Sequence, residues 1–391
     1  MKSYKADYVF PINADPIKNG VVTVDDHGKI LSVTDNHPPD AKDGEPQHLK
    51  GIICPGFINT HCHLELSYLK GKLSQQKGLI NFIKEIQALR TADNAVILKA
   101  AEKADAEMYE NGIVAVGDIA NSNVSVPVKA NSKIYYHTFA EAFSFLPEKA
   151  QEAFDKAVSL SKEFKPQSCS VTPHAPYSVS KELFKLIKKY SDNGTANLIS
   201  IHNQESEDEN KFYRYRLGGF VDLYKHFNID ISFFKSQARN SMQYVLPLLT
   251  NKQDILMVHN TCTNLKDLYF IKRFDRKVHF CFCPGANLYI ENKLPKVDLF
   301  IDQGFNLTIG TDSLASNTKL CILNEMRLLQ AKFPAITTER LLQWATINGA
   351  KFLGIDDEKG SLETGKTPGL NLISGLDGLR ITPDTKVKRL V

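Results

Sequence analysis

Residues 52–63 read IICPGFINTHCH, a short apolar run that ends in two histidines. Similar runs recur along the chain, and most of them end in polar residues; they are IVAVGDIA (113–120), KIYYHTFAEAF (133–143), CSVTPHAPYS (169–178), NLISIHNQES (197–206), ILMVHNT (255–261), KVHFCFCPGAN (277–287) and FNLTIGTDS (305–313). Segments between most of them, such as LINFIKEIQALR and KELFKLIKKYSDNG, carry apolar residues at three- and four-residue spacing, which indicates amphipathic helices. Strands that alternate with helices in this way predict an α/β fold, a TIM-type (β/α)8 barrel with a parallel sheet.

The two chain ends show a different pattern. The first fifty residues contain the short alternating runs ADYVF, VVTVDD and KILSV, separated by turn residues and followed by a Pro- and Asp-rich segment. The tail SLETGKTPGLNLISGLDGLRITPDTKVKRLV again indicates short strands and turns. We expect the two ends to pair with one another in a small β domain.

The composition excludes several classes of partner. The 391 residues include 48 Lys and Arg against 44 Asp and Glu, and the net charge of +4 is spread without a long basic run, so we expect no nucleic-acid partner. The absence of a signal-peptide pattern and of any run of about 18 apolar residues predicts a cytoplasmic protein with no membrane partner.

The seven scattered cysteines favour reduced thiols. Cys281 and Cys283 fit alternation on a buried strand better than half of a metal site.

Side chains of the metal-binding types fall at the ends of the predicted strands, where the active sites of such barrels assemble. His61 and His63 are two residues apart, so both side chains point to one face of an extended strand. Alone, this pair is weak evidence and is better explained by chance or by structural histidines. His202, His259 and Asp312 follow apolar runs in equivalent positions. This recurrence favours a metal site over isolated core histidines and a capping aspartate.

Glu205 lies three residues after His202, where the strand gives way to its loop. It could belong to a solvated acidic loop with Glu207, Asp208 and Glu209, but beside an activated water a carboxylate can transfer protons, and we favour that role. Imidazole and carboxylate ligands suit zinc or ferrous iron, and three histidines with one aspartate leave a coordination position for water. Zinc lowers the pKa of such a water to about 7, so hydrolysis is the expected reaction.

Six motifs resemble those of the amidohydrolase superfamily, in particular its cytosine-deaminase, chlorohydrolase and nucleoside-deaminase branch. They are PGFINTHCHLELS (55–67), TPHAPYSVS (172–180), IHNQES (201–206), VHNTCT (258–263), CPGANLYIE (283–291) and IGTDSLASN (309–317). They occur in family order across nearly the whole chain, which is more specific than any single motif. The resemblance implies an amidohydrolase barrel over residues 55–354 and a composite β-sandwich domain built from residues 1–54 and 355–391.

The resemblance also implies roles for the strand-end residues. One divalent metal, with zinc favoured over ferrous iron, would be bound by His61, His63, His202 and Asp312. Glu205 would be the proton shuttle, and His259 would polarise the nucleophile or the substrate. The fourth strand carries His174 and lacks the carboxylated lysine of binuclear members, which favours a single metal and deamination. His174 itself is either a substrate contact or an orienting histidine.

The substrate contacts are less determined by the sequence. HLELS resembles a segment of aminodeoxyfutalosine deaminases, so Glu65 is a candidate contact, although a capping or solvent-facing loop residue fits equally well. Arg214 and Arg216, interleaved with tyrosines, could stack on a base or bind a carboxylate; they could also belong to an ordinary amphipathic helix or a subunit contact. Ser313, which follows Asp312, is a further candidate contact.

The leading prediction is a hydrolytic deaminase that releases ammonia from an aminated heterocycle of adenine type, such as 6-amino-6-deoxyfutalosine. One alternative is a hydrolase that removes another group, such as chloride or an alkylamine, from a heterocycle. The other is a non-catalytic metal-binding member of the fold. A homodimer is a further expectation, because paired subunits are common in the family.

Overall fold

The computed structural model describes residues 1–35, 45–193, 198–236, 238–274 and 276–391. Most of the Pro- and Asp-rich segment after KILSV, and residue 197 of the fifth predicted barrel strand, lie outside the described residues. The strands are β1 (Lys2–Val9), β2 (Ile17–Lys18), β3 (Val21–Val24), β4 (Ile30–Thr34), β5 (Gln47–Pro55), β6 (Phe57–Cys62), β7 (Ile113–Ala120), β8 (Tyr135–Ala142), β9 (Ser168–Pro173), β10 (Ile199–Asn203), β11 (Ile255–His259), β12 (Val278–Phe282), β13 (Asn306–Ile309), β14 (Leu370–Ser374) and β15 (Lys386–Arg389).

The helices lie mainly between the strands. The α-helices are α1 (Leu79–Leu89), α2 (Asn94–Glu110), α3 (Val126–Asn131), α4 (Ala150–Glu163), α5 (Lys181–Asn193), α6 (Glu207–Tyr215), α7 (Gly219–His226), α8 (Ser241–Val245), α9 (Leu265–Lys272), α10 (Pro284–Glu291), α11 (Val297–Asp302), α12 (Ile322–Lys332), α13 (Thr338–Ala345) and α14 (Ile347–Leu353). Short 3-10 helices cover Leu64–Leu69, Pro147–Lys149, Pro176–Ser178 and Leu246–Leu248. Among the described residues, no helix is long and apolar enough to cross a membrane.

Strands β6 to β13 form the barrel. They make two four-stranded parallel sheets, in the orders β6-β7-β8-β9 and β10-β11-β12-β13. Where β13 meets β6, Cys62 and Asp312 form a parallel bridge, and the amide of Asp312 donates to the carbonyl of His61 at 3.0 Å. Where β9 meets β10, the amide of His202 donates to the carbonyl of His174 at 3.0 Å. These two junctions between the sheets, which we call the seams of the barrel, therefore lie beside the predicted metal ligands. They bring the end of β6 next to the segment after β13, and the end of β9 next to β10.

The helices pack on this barrel through one apolar face each. In α5, Leu183, Phe184 and Ile187 are buried, which is the spacing expected for a stripe on a helix of 3.6 residues per turn. Such side chains join those of the strands in one large cluster of buried apolar residues. Removing this apolar surface from water is the main force that holds the helical layer against the strands.

The predicted strand over residues 52–63 is divided into two strands. Residues up to Pro55 pair with β14, and residues from Phe57 onwards pair with β7. Gly56 lies between them where a Cβ atom would be 2.2 Å from Val114 Cγ1 and 2.8 Å from the carbonyl oxygen of Pro368. Only glycine fits this close approach, so the chain can leave one sheet and enter the other within two peptide bonds.

Both chain ends contribute to one small β domain, as expected. Its strands form a single seven-stranded sheet in the order β15-β14-β5-β1-β3-β4, with β2 paired to β1. The predicted composite sandwich thus takes the form of one mixed sheet within the described residues. Ile52, Cys54 and Ile373 of this sheet, and Phe10 directly after β1, belong to the same apolar cluster as the barrel helices. The domain is therefore packed against the barrel through an apolar contact.

Candidate active site

Three histidine side chains converge at the seams of the barrel. The Nε2 atom of His63 is 3.2 Å from Nε2 of His61 and 3.2 Å from Nε2 of His202. The Oδ1 atom of Asp312 is 3.4 Å from Nε2 of His63 and 3.7 Å from Nε2 of His61. All four side chains are buried. Four ligand atoms from β6, the residue directly after it, the end of β10 and the segment after β13 therefore surround one point.

This donor set fits a divalent metal ion. Two nitrogens on a tetrahedral metal, each about 2.0–2.1 Å from it, lie about 3.3 Å apart, which matches the separations of the Nε2 atoms. The Nδ1 atom of His202 donates to the carbonyl of His174 at 2.8 Å, so its Nε2 lone pair is free for a metal. Burial lowers the pKa of His202 to about 3, and it lowers the pKa values of His61 and His63 well below their usual value. The imidazoles are therefore neutral at physiological pH, as metal ligation requires.

Glu205 and His259 lie next to this donor set. The Oε1 atom of Glu205 is 3.7 Å from Nε2 of His259, whose Nδ1 donates to Oδ1 of Asn287 at 2.8 Å. Burial, and then the negative charge of Asp312, raise the pKa of Glu205 well above its usual value. Glu205 is thus a carboxyl group that can exchange a proton in the cavity, and Asn287 fixes the tautomer of His259.

The backbone is strained at the points that present these side chains. Gln204, His259 and Asp312 adopt φ values of 45°, 72° and 57°, in the left-handed region that non-glycine residues rarely occupy. Each such residue costs of order 1–3 kcal/mol, and the conformation persists only where the surrounding structure imposes it. Such strain is concentrated at functional sites, and here it occurs just before Glu205 and at two strand-end residues of the cluster.

The site opens into a cavity of about 490 Å³. His63, His174, His202, Glu205, His259, Asp312 and Ser313 provide polar parts of its wall. Apolar walls are provided by α1, α7 and the neighbouring loops, through Leu79, Phe82, Ile83, Ile86, Phe145, Leu223, Phe227 and Ile229. Arg90 and Lys149 are its only lining lysine or arginine side chains among the described residues. A volume of this size suits a small organic molecule.

Comparison with known proteins identifies the family. The model of the amidohydrolase family matches residues 52–389, which is most of the chain. This chain belongs to the amidohydrolase family.

Several amidohydrolases resemble it along most of their length. It is 27% identical over 332 residues to an adenosine deaminase of Helicobacter pylori (strain ATCC 700392 / 26695), covering 82% of this chain and 78% of that protein. The structure of H. pylori aminofutalosine deaminase in complex with methylthio-coformycin has a TM-score of 0.82 at 22% identity and covers 100% of both chains. An adenosine deaminase of Xanthomonas campestris with bound zinc has a TM-score of 0.75 at 22% identity, covering 98% of this chain and 86% of that one. The solved structures establish a shared fold.

Three of the predicted substrate contacts lie elsewhere in this amidohydrolase. Glu65 does not line the cavity, and it is not solvent-facing either, because only 8% of it is exposed. Arg216 ends α6 in a left-handed conformation and donates to the carbonyl of Ile231 at 2.8 Å. Arg214 lines a different cavity. His174 and Ser313, in contrast, do line the site, and His174 also orients His202 through its carbonyl.

The position of Glu65 has a structural explanation. Its Oε1 accepts from the amide of Asn121 at 3.1 Å, and its Oε2 accepts from the amide and hydroxyl of Ser122 at 3.1 and 2.8 Å. The Asn121 side chain in turn donates to Oε2 of Glu141 at 2.8 Å. Glu65 therefore holds the loop after β7, and that loop holds Glu141.

Glu141 was not predicted from the sequence. It lies on β8, lines the cavity and is 6% exposed. Its Oε1 is 3.8 Å from Nδ1 of His202 and has no hydrogen-bond partner within the described chain. A buried carboxylate oxygen without a partner is costly, so this atom is available to a donor that enters the cavity.

Glu209 was also missed, because it was grouped with a solvated acidic loop. It is fully buried, and its carboxylate accepts from the amides of Gln204 at 2.9 Å and Glu205 at 3.1 Å. Its own amide donates to Oγ of Ser206, which caps α6. Ser206 and Glu209 have the S-x-x-E spacing of a capping box, and this signal could have predicted the burial of Glu209.

A buried ion pair fixes the chain directly after His63. The Oδ1 atom of Asp118 accepts from the amide of Leu64 at 2.7 Å. Its Oδ2 is 2.6 Å from Nζ of Lys129, and both side chains are almost fully buried. The carboxylate of Asp118 on β7 therefore holds the chain at the end of β6, and Lys129 of α3 balances its charge.

Proposed function

We propose that this protein is a metal-dependent hydrolase that removes the exocyclic amine of an adenine-type nucleoside as ammonia. The observation that carries the proposal is the convergence of four metal-type ligand atoms with the carboxyl of Glu205 in one cavity. The adenosine deaminase and the aminofutalosine deaminase named above support the same class of reaction. Hydrolysis of a carbon–nitrogen bond is consistent with membership of the amidohydrolase family.

We assign the metal to His61, His63, His202 and Asp312. Zinc is the first candidate, because the related X. campestris structure contains it and because imidazole and carboxylate ligands suit it. When bound, a divalent metal supplies Lewis-acid activation of water at neutral pH. Ser316 Oγ donates to Oδ2 of Asp312 at 2.7 Å, which keeps Oδ1 turned toward the histidines.

Glu205 moves the protons of the reaction. Its carboxylate takes a proton from the attacking water and delivers it to the ring nitrogen next to the carbon that bears the amine. The oxygen of the water bonds to that carbon. Glu205 then transfers the remaining proton of the new hydroxyl group to the amine, and the carbon–nitrogen bond breaks to release ammonia and leave a carbonyl group. His259, with Nδ1 held by Asn287, presents Nε2 to the reacting oxygen. A positioned proton shuttle of this kind contributes about 10²–10⁴-fold to the rate.

The rest of the cavity selects the substrate. Its apolar walls favour a nucleoside with a largely apolar substituent, and Arg90 and Lys149 favour a negatively charged group at one end of that substituent. We assign Oε1 of Glu141 to a donor group of the substrate, such as a sugar hydroxyl, because this oxygen is unpartnered and its neighbour Oε2 is held by Asn121. The first substrate to test is 6-amino-6-deoxyfutalosine.

The test is a measurement of ammonia and chloride release by zinc-loaded protein. The substrates are 6-amino-6-deoxyfutalosine, adenosine, free adenine, an aminated pterin and 6-chloropurine riboside. We expect ammonia from at least one adenine-type nucleoside. Chloride without ammonia would show a chlorohydrolase instead, and no product from any substrate would contradict the proposal.

Two variants accompany this test. Glu205→Gln should retain bound zinc, because Glu205 is not a ligand, while turnover falls by about 10²–10⁴-fold. Glu182→Gln on the exposed side of α5 removes the same charge and should leave turnover unchanged. Normal turnover by Glu205→Gln would show that another group transfers the proton.

Three finer expectations stay predictions. They are the division into domains at residues 54/55 and 354/355, the homodimer and the cytoplasmic location. Light scattering coupled to size-exclusion chromatography measures the oligomeric state directly.

A further inference from the structure

A second cavity, of about 410 Å³, lies beside α6 and α9. None of the proposed metal ligands lines it. We call it the cationic cavity, because six lysine or arginine side chains line it against two carboxylates. The cations are Lys211, Arg214, Arg239, Lys266, Lys293 and Lys296.

The positive charge of the cationic cavity is only partly balanced by the protein. Lys293 pairs with Glu207 at 3.1 Å, and this uses one of the two carboxylates. Arg239, Lys266 and Lys296 form no ion pair with any of the residues that the structure describes. At least three charged groups therefore remain available to an anion.

The second carboxylate, Asp267, is committed to the protein interior. It is fully buried, and its oxygens accept from the side chains of Asn240 and Gln204 and from the amide of Asn264. Its charge is therefore held by neutral donors of the protein. It does not form an ion pair with the lysines and arginines at the surface of the cavity.

A buried hydroxyl group in the wall lacks a partner. Thr261 lines the cationic cavity and is 3% exposed. Its Oγ1 makes no hydrogen bond within the described part of the chain. An unsatisfied buried hydroxyl destabilises the fold, and hydrogen bonding to an anionic oxygen would remove that cost.

The cationic cavity shares its wall with the turn that carries Glu205. Gln204 donates from Nε2 to Oδ1 of Asn210 at 3.1 Å and to Oδ2 of Asp267 at 3.2 Å. Its Oε1 accepts from the hydroxyl of Thr263 at 2.7 Å. Asn210, Asp267 and Thr263 all line the cationic cavity, whereas Glu205 lines the substrate cavity. A ligand in the cationic cavity therefore contacts the residues that hold the Gln204–Glu205 turn. Glu205 on that turn faces the substrate cavity.

We propose that the cationic cavity binds a phosphate-bearing anion, either inorganic diphosphate or a nucleoside diphosphate, and that this anion stabilises the Gln204–Glu205 turn. The volume lies in the range of about 300–1,000 Å³ that small-molecule sites occupy, which is more than a single phosphate needs. Lysine and arginine are the side chains that bind phosphoryl oxygens most strongly. The proposal goes beyond deamination, since no step of that reaction uses this cavity.

Titration calorimetry tests the binding. The zinc-loaded full chain is titrated with inorganic diphosphate and with ADP at a fixed ionic strength of about 0.1 M, because screening weakens such contacts. Metal content is measured after each titration, so that extraction of zinc by diphosphate is not counted as binding. Binding of both probes indicates that the phosphoryl groups suffice, and binding of ADP alone indicates a nucleotide site.

The location is tested with two triple variants of equal charge. The first replaces Arg239, Lys266 and Lys296 with glutamine, and the second replaces the exposed Lys99, Lys103 and Lys162 with glutamine. We expect the first to weaken binding tenfold or more and the second to leave it unchanged. Equal affinity of both variants, or no binding to the unsubstituted protein, overturns the proposal. Neither result depends on turnover, so the proposed deamination is tested separately.

Hydrogen–deuterium exchange tests the effect on the turn. The amides of Gln204 and Glu205 are hydrogen-bonded to Glu209, so their exchange reports how firmly the turn is held. Diphosphate should slow exchange in a peptide covering residues 199–206 of the unsubstituted protein and leave it unchanged in the first triple variant. Unchanged exchange in the unsubstituted protein with diphosphate bound would refute the stabilising effect.

Discussion

The carboxylate of Glu209 accepts a hydrogen bond from the backbone amide of Glu205 at 3.1 Å. Its other oxygen accepts a hydrogen bond from the backbone amide of Gln204, and the φ of 45° at Gln204 places its backbone in the strained left-handed region. One buried side chain thus holds two consecutive amides of the turn that presents the proposed proton shuttle. The position of Glu205 is set by Glu209 as much as by the strand before it.

Glu209→Gln should therefore impair turnover without removing the metal. A glutamine side chain has one acceptor oxygen, so one of the two amides loses its partner and the turn shifts. A displacement of about 1 Å costs up to about 10²-fold in rate, and we expect a loss of about 10- to 100-fold in kcat. The measurements are steady-state kinetics and zinc content, with Glu182→Gln as the control. Unchanged kcat would show that the amides are held without Glu209.

The pH dependence of stability should reveal the same group. Burial raises the pKa of Glu209 to about 7 from an ordinary value of 4.5, so the folded state binds this proton more tightly than the unfolded state. The stability that comes from protonated Glu209 is therefore complete below pH 4.5 and is lost as pH rises through about 7. Relative to Glu209→Gln, the free energy of unfolding should fall by up to about 3 kcal/mol over this interval. Urea denaturation of both proteins at several pH values measures this, and a constant difference would contradict the assignment.

Glu141→Gln should alter substrate recognition more than metal binding. A hydrogen bond to a charged group contributes about 1.5–3 kcal/mol, so kcat/KM for the full nucleoside should fall by about 10- to 100-fold. For a deoxy analogue that lacks the contacted hydroxyl, the unsubstituted protein and the variant should be equally poor. Parallel measurements with adenosine and its 2′- and 3′-deoxy analogues identify the hydroxyl. An equal loss on every analogue, together with lost zinc, would assign Glu141 to the orientation of His202 instead.

Lys129→Met should destabilise the fold strongly. It leaves the buried carboxyl of Asp118 without its ion-pair partner, and breaking such a pair costs about 3–5 kcal/mol. The double variant Asp118→Asn/Lys129→Met removes both charges and keeps an acceptor for the amide of Leu64, so part of this stability should return. Chemical denaturation of the single and double variants gives both values. Equal stability of Lys129→Met and the unsubstituted protein would contradict this expectation and show that the ion pair does not stabilise the fold.

The metal donor set could be predicted from the sequence because strand ends are marked by local patterns. His61, His63, His202 and Asp312 each follow an apolar run, and parallel strands bring such positions together without any knowledge of the loops. The strand over residues 113–120 has the predicted bounds for the same reason. By contrast, the break at Gly56 depends on the close approach of Val114 and Pro368, which no local pattern records.

The contacts of Glu65 and Glu141 could not be predicted in this way. Both depend on Asn121, whose amide and side chain bond to different carboxylates across the loop after β7. Within FAEAF, Glu141 has the pattern of any polar residue on a half-buried strand. Its burial follows from the way a loop 20 residues earlier in the chain folds over it, and that is set by tertiary packing.

The pairing of β5 with β14 has a consequence for the order in which the protein is made. Ile53 pairs with Leu372, so the N-terminal strands lack this neighbour until almost the whole chain has been synthesised. At about 5–20 residues per second, the ribosome needs about 15–60 s to cover the intervening chain. During that interval β5 has an open edge on the side that β14 later fills, and such an edge can pair with other chains. Barrel strand β6 waits in the same way for the segment after β13, where Asp312 bridges Cys62, so crowding of nascent chains should affect the exposed edges of both β5 and β6.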